Sequence, residues 1–101
     1  MLTISLNLVG QIVEMRHEMD RSDVDIRSLI QGLNEDEQAE LVALRWIGRG
    51  SFEPEDLEDA ILTAKTEAST PTEDYLLGSP HLADHLEAAL ESLGLDVDDD
   101  A

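Results

Sequence analysis

The sequence predicts an all-α fold: a compact bundle of five to six helices around a central helix at about 35–48. Three observations predict it. Apolar residues recur at spacings of three and four along most of the chain, the period of one helical face. Start and stop signals punctuate the chain at Asn34, Gly50, Pro54, Pro71, Pro80 and Gly94. No segment sustains the alternation of a half-buried strand, so no sheet is expected.

The first helix is expected over residues 2–20, where Leu8, Ile12, Met15 and Met19 form a stripe widened by Val9 and Val13. Ser5 or Asn7 caps its start. Gly10 inside it costs about 1 kcal/mol relative to Ala unless it permits a close helix contact. Residues 20–25 read as a polar connector ending at Asp25, the expected cap of a short second helix. Ile26, Leu29, Ile30 and Leu33 point inward from it, and Gly32 and Asn34 end it. The central helix follows at once, which requires a sharp reorientation.

Asn34 caps that central helix, and Glu35, Asp36 and Glu37 place negative charge where the helix dipole favours it. Leu41, Leu44 and Ile47 make one stripe; Val42 and Trp46 make a second beside it. So wide an apolar arc implies neighbours on more than one side. Gly48 and Gly50 are expected to stop the helix, Gly50 in the left-handed conformation.

Phe52 folds back as an anchor, and Pro54 opens a fourth helix loaded with Glu55, Asp56, Glu58 and Asp59. Leu57, Ala60, Ile61, Ala64 and Ala68 are its apolar face. Thr70 and Glu73 have capping-box spacing around Pro71, opening a helix of one to two turns through Tyr75 and Leu77 that Gly78 closes. Ser79-Pro80 opens the last helix, which buries Leu82, Leu86, Ala89, Leu90 and Leu93 and ends at Gly94. Residues 1–94 are read as one helical domain, and 95–101 as an acidic disordered tail.

Charge bounds the partners. The formal net charge is −18. Residues 1–50 hold five Arg and nine acids; residues 51–101 hold only Lys65 against fifteen acids. Such a surface repels nucleic acid and anionic membranes. No apolar run approaches the roughly 20 residues of a membrane span. The N-terminus lacks a basic region ahead of its apolar residues, so no signal peptide is read and a cytoplasmic protein is expected. With no cysteine, thiol and disulfide chemistry are excluded.

LNEDEQAELVALRWIGRG (33–50), followed by DYLLGSPHLADHLEAAL (74–90), resembles a family of short bacterial all-helical proteins known only as a domain of unknown function. The shared features are the Asn-Glu-Asp-Glu start, Leu-Val-Ala-Leu with Trp46 and Gly48-Arg49-Gly50, and Tyr75-Leu-Leu-Gly with Pro80, Leu82, Leu86 and Glu87. The resemblance runs over nearly the whole chain up to the tail. It implies a helical fold, no known activity, and no catalytic residue or cofactor. His81 and His85 lie outside the shared pattern.

Four sets of residues bear on chemistry. His81 and His85, spaced i and i+4 with Asp84 beside them, have metal-ligand spacing, but a pair of imidazoles without a third ligand reads as two exposed histidines. His17 would join them only if folding brought it near. Arg45 and Arg49, one turn apart with Arg49 between glycines, suit a carboxylate or small anion. The negative end of the helix dipole argues instead that Arg49 pairs with Glu53, Asp74 or Glu87. The acids at 53–59 and 96–100 read as solvated charge, since the tail lacks the glycine and terminal glutamate of a calcium loop. Trp46 is expected in the core with its indole N–H on a carbonyl or carboxylate, and Tyr75 is expected to pin the fifth helix to the central one.

No Ser-His-Asp set, glycine-rich phosphate loop or nucleotide fingerprint is present, so an enzyme is the least supported class. The leading expectation is a non-enzymatic protein–protein interaction module that binds an unknown protein or itself. The alternatives are an acidic decoy mimicking nucleic acid in a basic protein groove, and a weak metal- or small-anion-binding protein.

Overall fold

The computed structural model describes residues 4–17, 23–66, 72–78 and 81–94, and every regular element among them is helical. The order is α1 (Leu6–His17), α2 (Asp23–Gln31), α3 (Glu35–Arg49), a 3₁₀ turn (Pro54–Asp56), α4 (Leu57–Thr66), α5 (Thr72–Leu77) and α6 (Leu82–Ser92). The chain is an all-α bundle around its central helix. α3 packs most extensively on α6 and then on α4, α1 lies on α6, and α2 lies on α5. None of these helices is long and apolar enough to cross a membrane.

Residues 39–45 of α3 are all buried. A helix buried around its circumference must be enclosed by neighbours. Its ends are closed by side chains and backbone together. Asn34 Oδ1 accepts from the Glu37 N–H at 2.8 Å, and Glu37 Oε1 accepts from the Asn34 N–H at 3.0 Å, a reciprocal capping box. At the other end Gly50 sits at φ +90°, its N–H bonds the Ile47 carbonyl, and the Ser51 N–H bonds the Trp46 carbonyl. That pair of bonds is a Schellman turn, which reverses the chain and needs a residue free to be left-handed.

Gly48 does not stop the helix. It lies inside α3, where a Cβ atom would fall 1.7 Å from the carbonyl oxygen of His85. α3 and α6 therefore cross with backbone nearly touching backbone, and the glycine is the point of contact.

The first two helices differ from expectation at their ends. α1 begins at Leu6, where the Ser5 carbonyl accepts from the Leu8 and Val9 N–H groups. Ile4 precedes the helix and is buried, its N–H donating to Glu40 Oε1 at 2.8 Å. Val9, Ile12 and Val13 carry the buried stripe, with Leu8 only half-buried. α2 begins at Asp23, so Asp25 lies within the helix rather than capping it. Ile26 and Ile30 are its buried residues. The tight α2–α3 joint is held by the Gln38 amide, which donates to the carbonyls of Ile30 at 3.0 Å and Leu33 at 3.1 Å. The Ile30 carbonyl also accepts from the Leu33 N–H at 3.0 Å, so the amide adds to a turn that the backbone has already begun.

Ala60 and Ala64 are the buried residues of α4. Lys65, in its last turn, pairs with Asp36 in the first turn of α3 at 2.5 Å, so α3 and α4 run antiparallel. This pair is exposed and adds little stability. α5 buries Leu76 and is tied to α2 by an exposed ion pair between Asp74 and Arg27. α6 begins at Leu82 with His81 in the cap position and no side-chain cap bond. Leu82, Ala83, Leu86, Ala89 and Leu90 form its buried face. Each fully buried leucine contributes roughly 1.5–3 kcal/mol by removal from water.

The side chains of Met15, Met19, His17 and Glu73, the 18–22 part of the connector, Ala68, the Thr70-Pro71 start, Ser79-Pro80 and the tail lie outside the described residues.

Candidate functional site

The last turn of α3 gathers the polar and aromatic side chains of interest. Burial of Leu44 and Ile47 turns Arg45, Trp46 and Arg49 toward its rim, and the Schellman turn brings Phe52 back over Trp46. The two rings stack with centroids 5.6 Å apart at 23°. Trp46 is half-buried rather than enclosed, and its indole N–H donates to the Tyr75 hydroxyl of α5 at 2.8 Å, not to a carbonyl or carboxylate. Arg45 donates from Nη1 to the same oxygen at 3.1 Å, and its guanidinium carbon lies 5.3 Å from the centre of the Tyr75 ring. Tyr75 thus joins α5 to two successive residues of α3.

Arg45 is 8% exposed. Its Nε is buried with no hydrogen-bond partner, and so is Nδ1 of His85, which enters from α6 at the Gly48 crossing. Burial holds the Arg45 guanidinium below its usual range; nearby Arg49 adds to that and Tyr75 opposes it. Arg49 is exposed and donates from Nε to Ser51 Oγ at 2.9 Å. The expected acid partner is not there: Asp74 is engaged with Arg27. With Lys65 on Asp36, the described cations lacking a carboxylate are Arg45 and Arg49.

His81 and His85 stand next to each other on one side of the start of α6. His81 Nδ1 lies 3.8 Å from Asp84 Oδ2, and both side chains are about two-thirds exposed. The His81 and His85 rings meet edge to face at 6.1 Å. Among the described residues no three His, Asp or Glu side chains gather as a metal site.

Burial lowers the His85 pKa from its usual value near 6.5, and the charges of Arg45, His81 and Arg49 lower it further against Asp84. An imidazole whose folded pKa is depressed binds fewer protons folded than unfolded between the two values. Stability contributed at His85 is therefore full above about 6.5 and is lost as pH falls toward the folded pKa. In an NMR titration the His85 ring is expected to titrate below 6.5, and His85→Gln to shrink the acid-side loss of stability. A His85 midpoint at or above 6.5 contradicts this.

Sequence reasoning missed three contributors here. Gly48 read as a terminator because nothing local marks a helix crossing. The Nδ1 of His85 is a feature of α6 packing that spacing does not reveal. Ser51, one residue after the glycine, was placed by the Schellman geometry and had a local signal in Gly50.

The fold and this corner define a small acidic helical protein with an uncompensated guanidinium pair beside stacked aromatics. A family model, described as "Protein of unknown function (DUF3775)", matches residues 23–95, and the chain belongs to that family. The match takes in α2 to α6 and every residue of the corner; α1 precedes it. No curated protein and no solved structure matches the chain.

Proposed function

We propose that the chain is a non-enzymatic protein–protein interaction module of the cytoplasm, and that it meets its partner at the α3–α5 corner. The observation carrying this is the Trp46–Phe52 stack, half-covered at the rim beside Arg45 and Arg49. Aromatic and arginine side chains of this kind are the commonest energetic anchors of interfaces. A broad greasy contact is less supported, because Leu62 is the one large apolar side chain exposed among the described residues.

The decoy reading has less support. Exposed acids occupy the first turn of α3 and the start of α4, and these helices are antiparallel. With Lys65 at the end of α4 beside Asp36, the two acidic ends are separated by the length of α4, about 15 Å at 1.5 Å per residue, with Lys65 between them.

The test is affinity capture with wild type, Phe52→Ala and Arg49→Glu, each first shown to melt like wild type, with light scattering at several concentrations to detect self-association. Proteins, or a second copy, retained by wild type and released by both variants support the corner. Retention that both variants leave intact overturns it.

A further inference from the structure

His85 stands where α6 comes closest to α3. Its carbonyl oxygen fills the space that a Cβ at position 48 would need, so this turn of α6 has no slack toward α3. Its backbone N–H is held by the His81 carbonyl at 2.9 Å. The residue is half-buried, with Nδ1 closed off from water and without a hydrogen-bond partner. A neutral imidazole leaves one unmet donor or acceptor at Nδ1. The imidazolium carries an N–H on both ring nitrogens, so protonation places a charged donor in that closed space whichever tautomer precedes it. Enclosing a charged donor without a partner is costly.

The neighbouring charges point the same way. From α3, Arg45 and Arg49 oppose a proton on His85; on its own helix His81 adds to them and Asp84 favours the proton. Arg45 is buried and held by the Tyr75 hydroxyl of α5 at 3.1 Å, so it cannot turn away without giving up that bond. Asp84 is two-thirds exposed and compensates weakly. α1, which also packs on α6, presents only the exposed Glu14 among its described ionisable side chains.

We propose that the start of α6 is a proton-operated latch on the central helix: with His85 neutral its first turns lie against Gly48, and protonation of the imidazole lifts them from α3 until water reaches Nδ1. The later part of α6 stays seated through Ala89 and Leu90, which are buried farther along the same face. The latch does not rest on the corner's being a contact surface, and its test needs no partner.

The test is an NMR titration of the full chain from well above to well below 6.5, the usual histidine value. It follows the His85 ring and the backbone N–H signals of Gly48, His85 and Leu86, with amide exchange measured on either side of the ring's midpoint. The Gly48 and Leu86 signals are expected to move with the same midpoint as the ring. Protection of the His85 and Leu86 N–H groups, corrected for the intrinsic pH dependence of exchange, is expected to fall severalfold while that of Leu41 and Ala64 holds. His85→Gln is expected to leave Gly48 unmoved across the range, and His81→Gln to keep the transition. Arg49→Gln, at an exposed position, removes one opposing charge and is expected to raise the midpoints of the ring and of Gly48 together, and so carries the test if His85→Gln fails to fold. A ring that titrates while Gly48 and Leu86 stay still overturns the proposal, because the imidazole then swings into water without moving its helix. An equal loss of protection at Leu41 and Ala64, or a transition that survives His85→Gln or disappears with His81→Gln, overturns it as well.

Discussion

Gly48→Ala is expected to lower stability by about 3 kcal/mol or more, although alanine is the better helix former by about 1 kcal/mol. The new methyl group would sit 1.7 Å from the His85 carbonyl oxygen, 2.5 Å from its carbonyl carbon and 2.9 Å from its Cα. These are backbone atoms, so no change of rotamer relieves the clash. α6 must retreat by more than 1 Å from α3 to restore ordinary contact. That retreat opens the most extensive helix interface of the molecule, where Leu44, Leu82 and Leu86 are fully buried. A loss of this size shifts the melting temperature of a chain this long by at least about 12 °C. Gly32→Ala is the control, since its added methyl meets only the carbonyls of Leu29 and Ser28 at 3.6 Å. It is expected to melt within a few degrees of wild type. Equal melting temperatures for the two variants would mean that the α3–α6 crossing is wider than described.

The contrast between these glycines marks what the sequence could reveal. Local signals were legible because their causes are local. Asn34 with Glu37, Gly50 and Pro54 act within one turn of themselves, and they set the bounds of α3 and the approach to α4. Ile26 and Ile30, Leu41 and Leu44, and Leu82 and Leu86 were legible because helical spacing groups them on one face. Partners distant in sequence were not legible. Trp46 meets Tyr75 from 29 residues away, and a phenol oxygen competes for its indole as well as any carbonyl does. Because that oxygen lies at the rim, the indole is held half outside the core rather than within it. Arg49 was expected to find an acid among many, yet Ser51 lies closer once the Schellman turn closes. The candidate corner was thus named by its residues in advance, while its geometry depended on the packing of α5 and α6. The family match fits the same division: it covers the blocks rich in local signals and starts where α2 starts.

Glu40 was equally hidden, being one carboxylate among four acids in Glu35–Glu40 with nothing local to mark it. It is 3% exposed and accepts the N–H of Ile4, which lies 36 residues earlier. A hydrogen bond to a charged acceptor contributes about 1.5–3 kcal/mol, and an orphaned buried N–H costs about 1–3 kcal/mol. Glu40→Ala is therefore expected to destabilise the fold by about 2–3 kcal/mol, within the sum of those terms because water can reach the loosened strand of chain. Glu40→Gln keeps an acceptor oxygen at the same reach and is expected to lose about 1 kcal/mol or less. Denaturant melts of the two variants measure the difference, and amide exchange locates it. The Ile4 N–H is expected to lose protection in Glu40→Ala and to keep most of it in Glu40→Gln. Should the two variants be equally stable, the buried carboxylate would be acting through its charge alone. That charge also acts on Lys65, whose ammonium is favoured first by its bond to Asp36 and also by Glu40. Loss of protection at Ile4 in the alanine variant alone would separate the two roles and identify Glu40 as the residue that fastens the chain preceding α1 to the central helix.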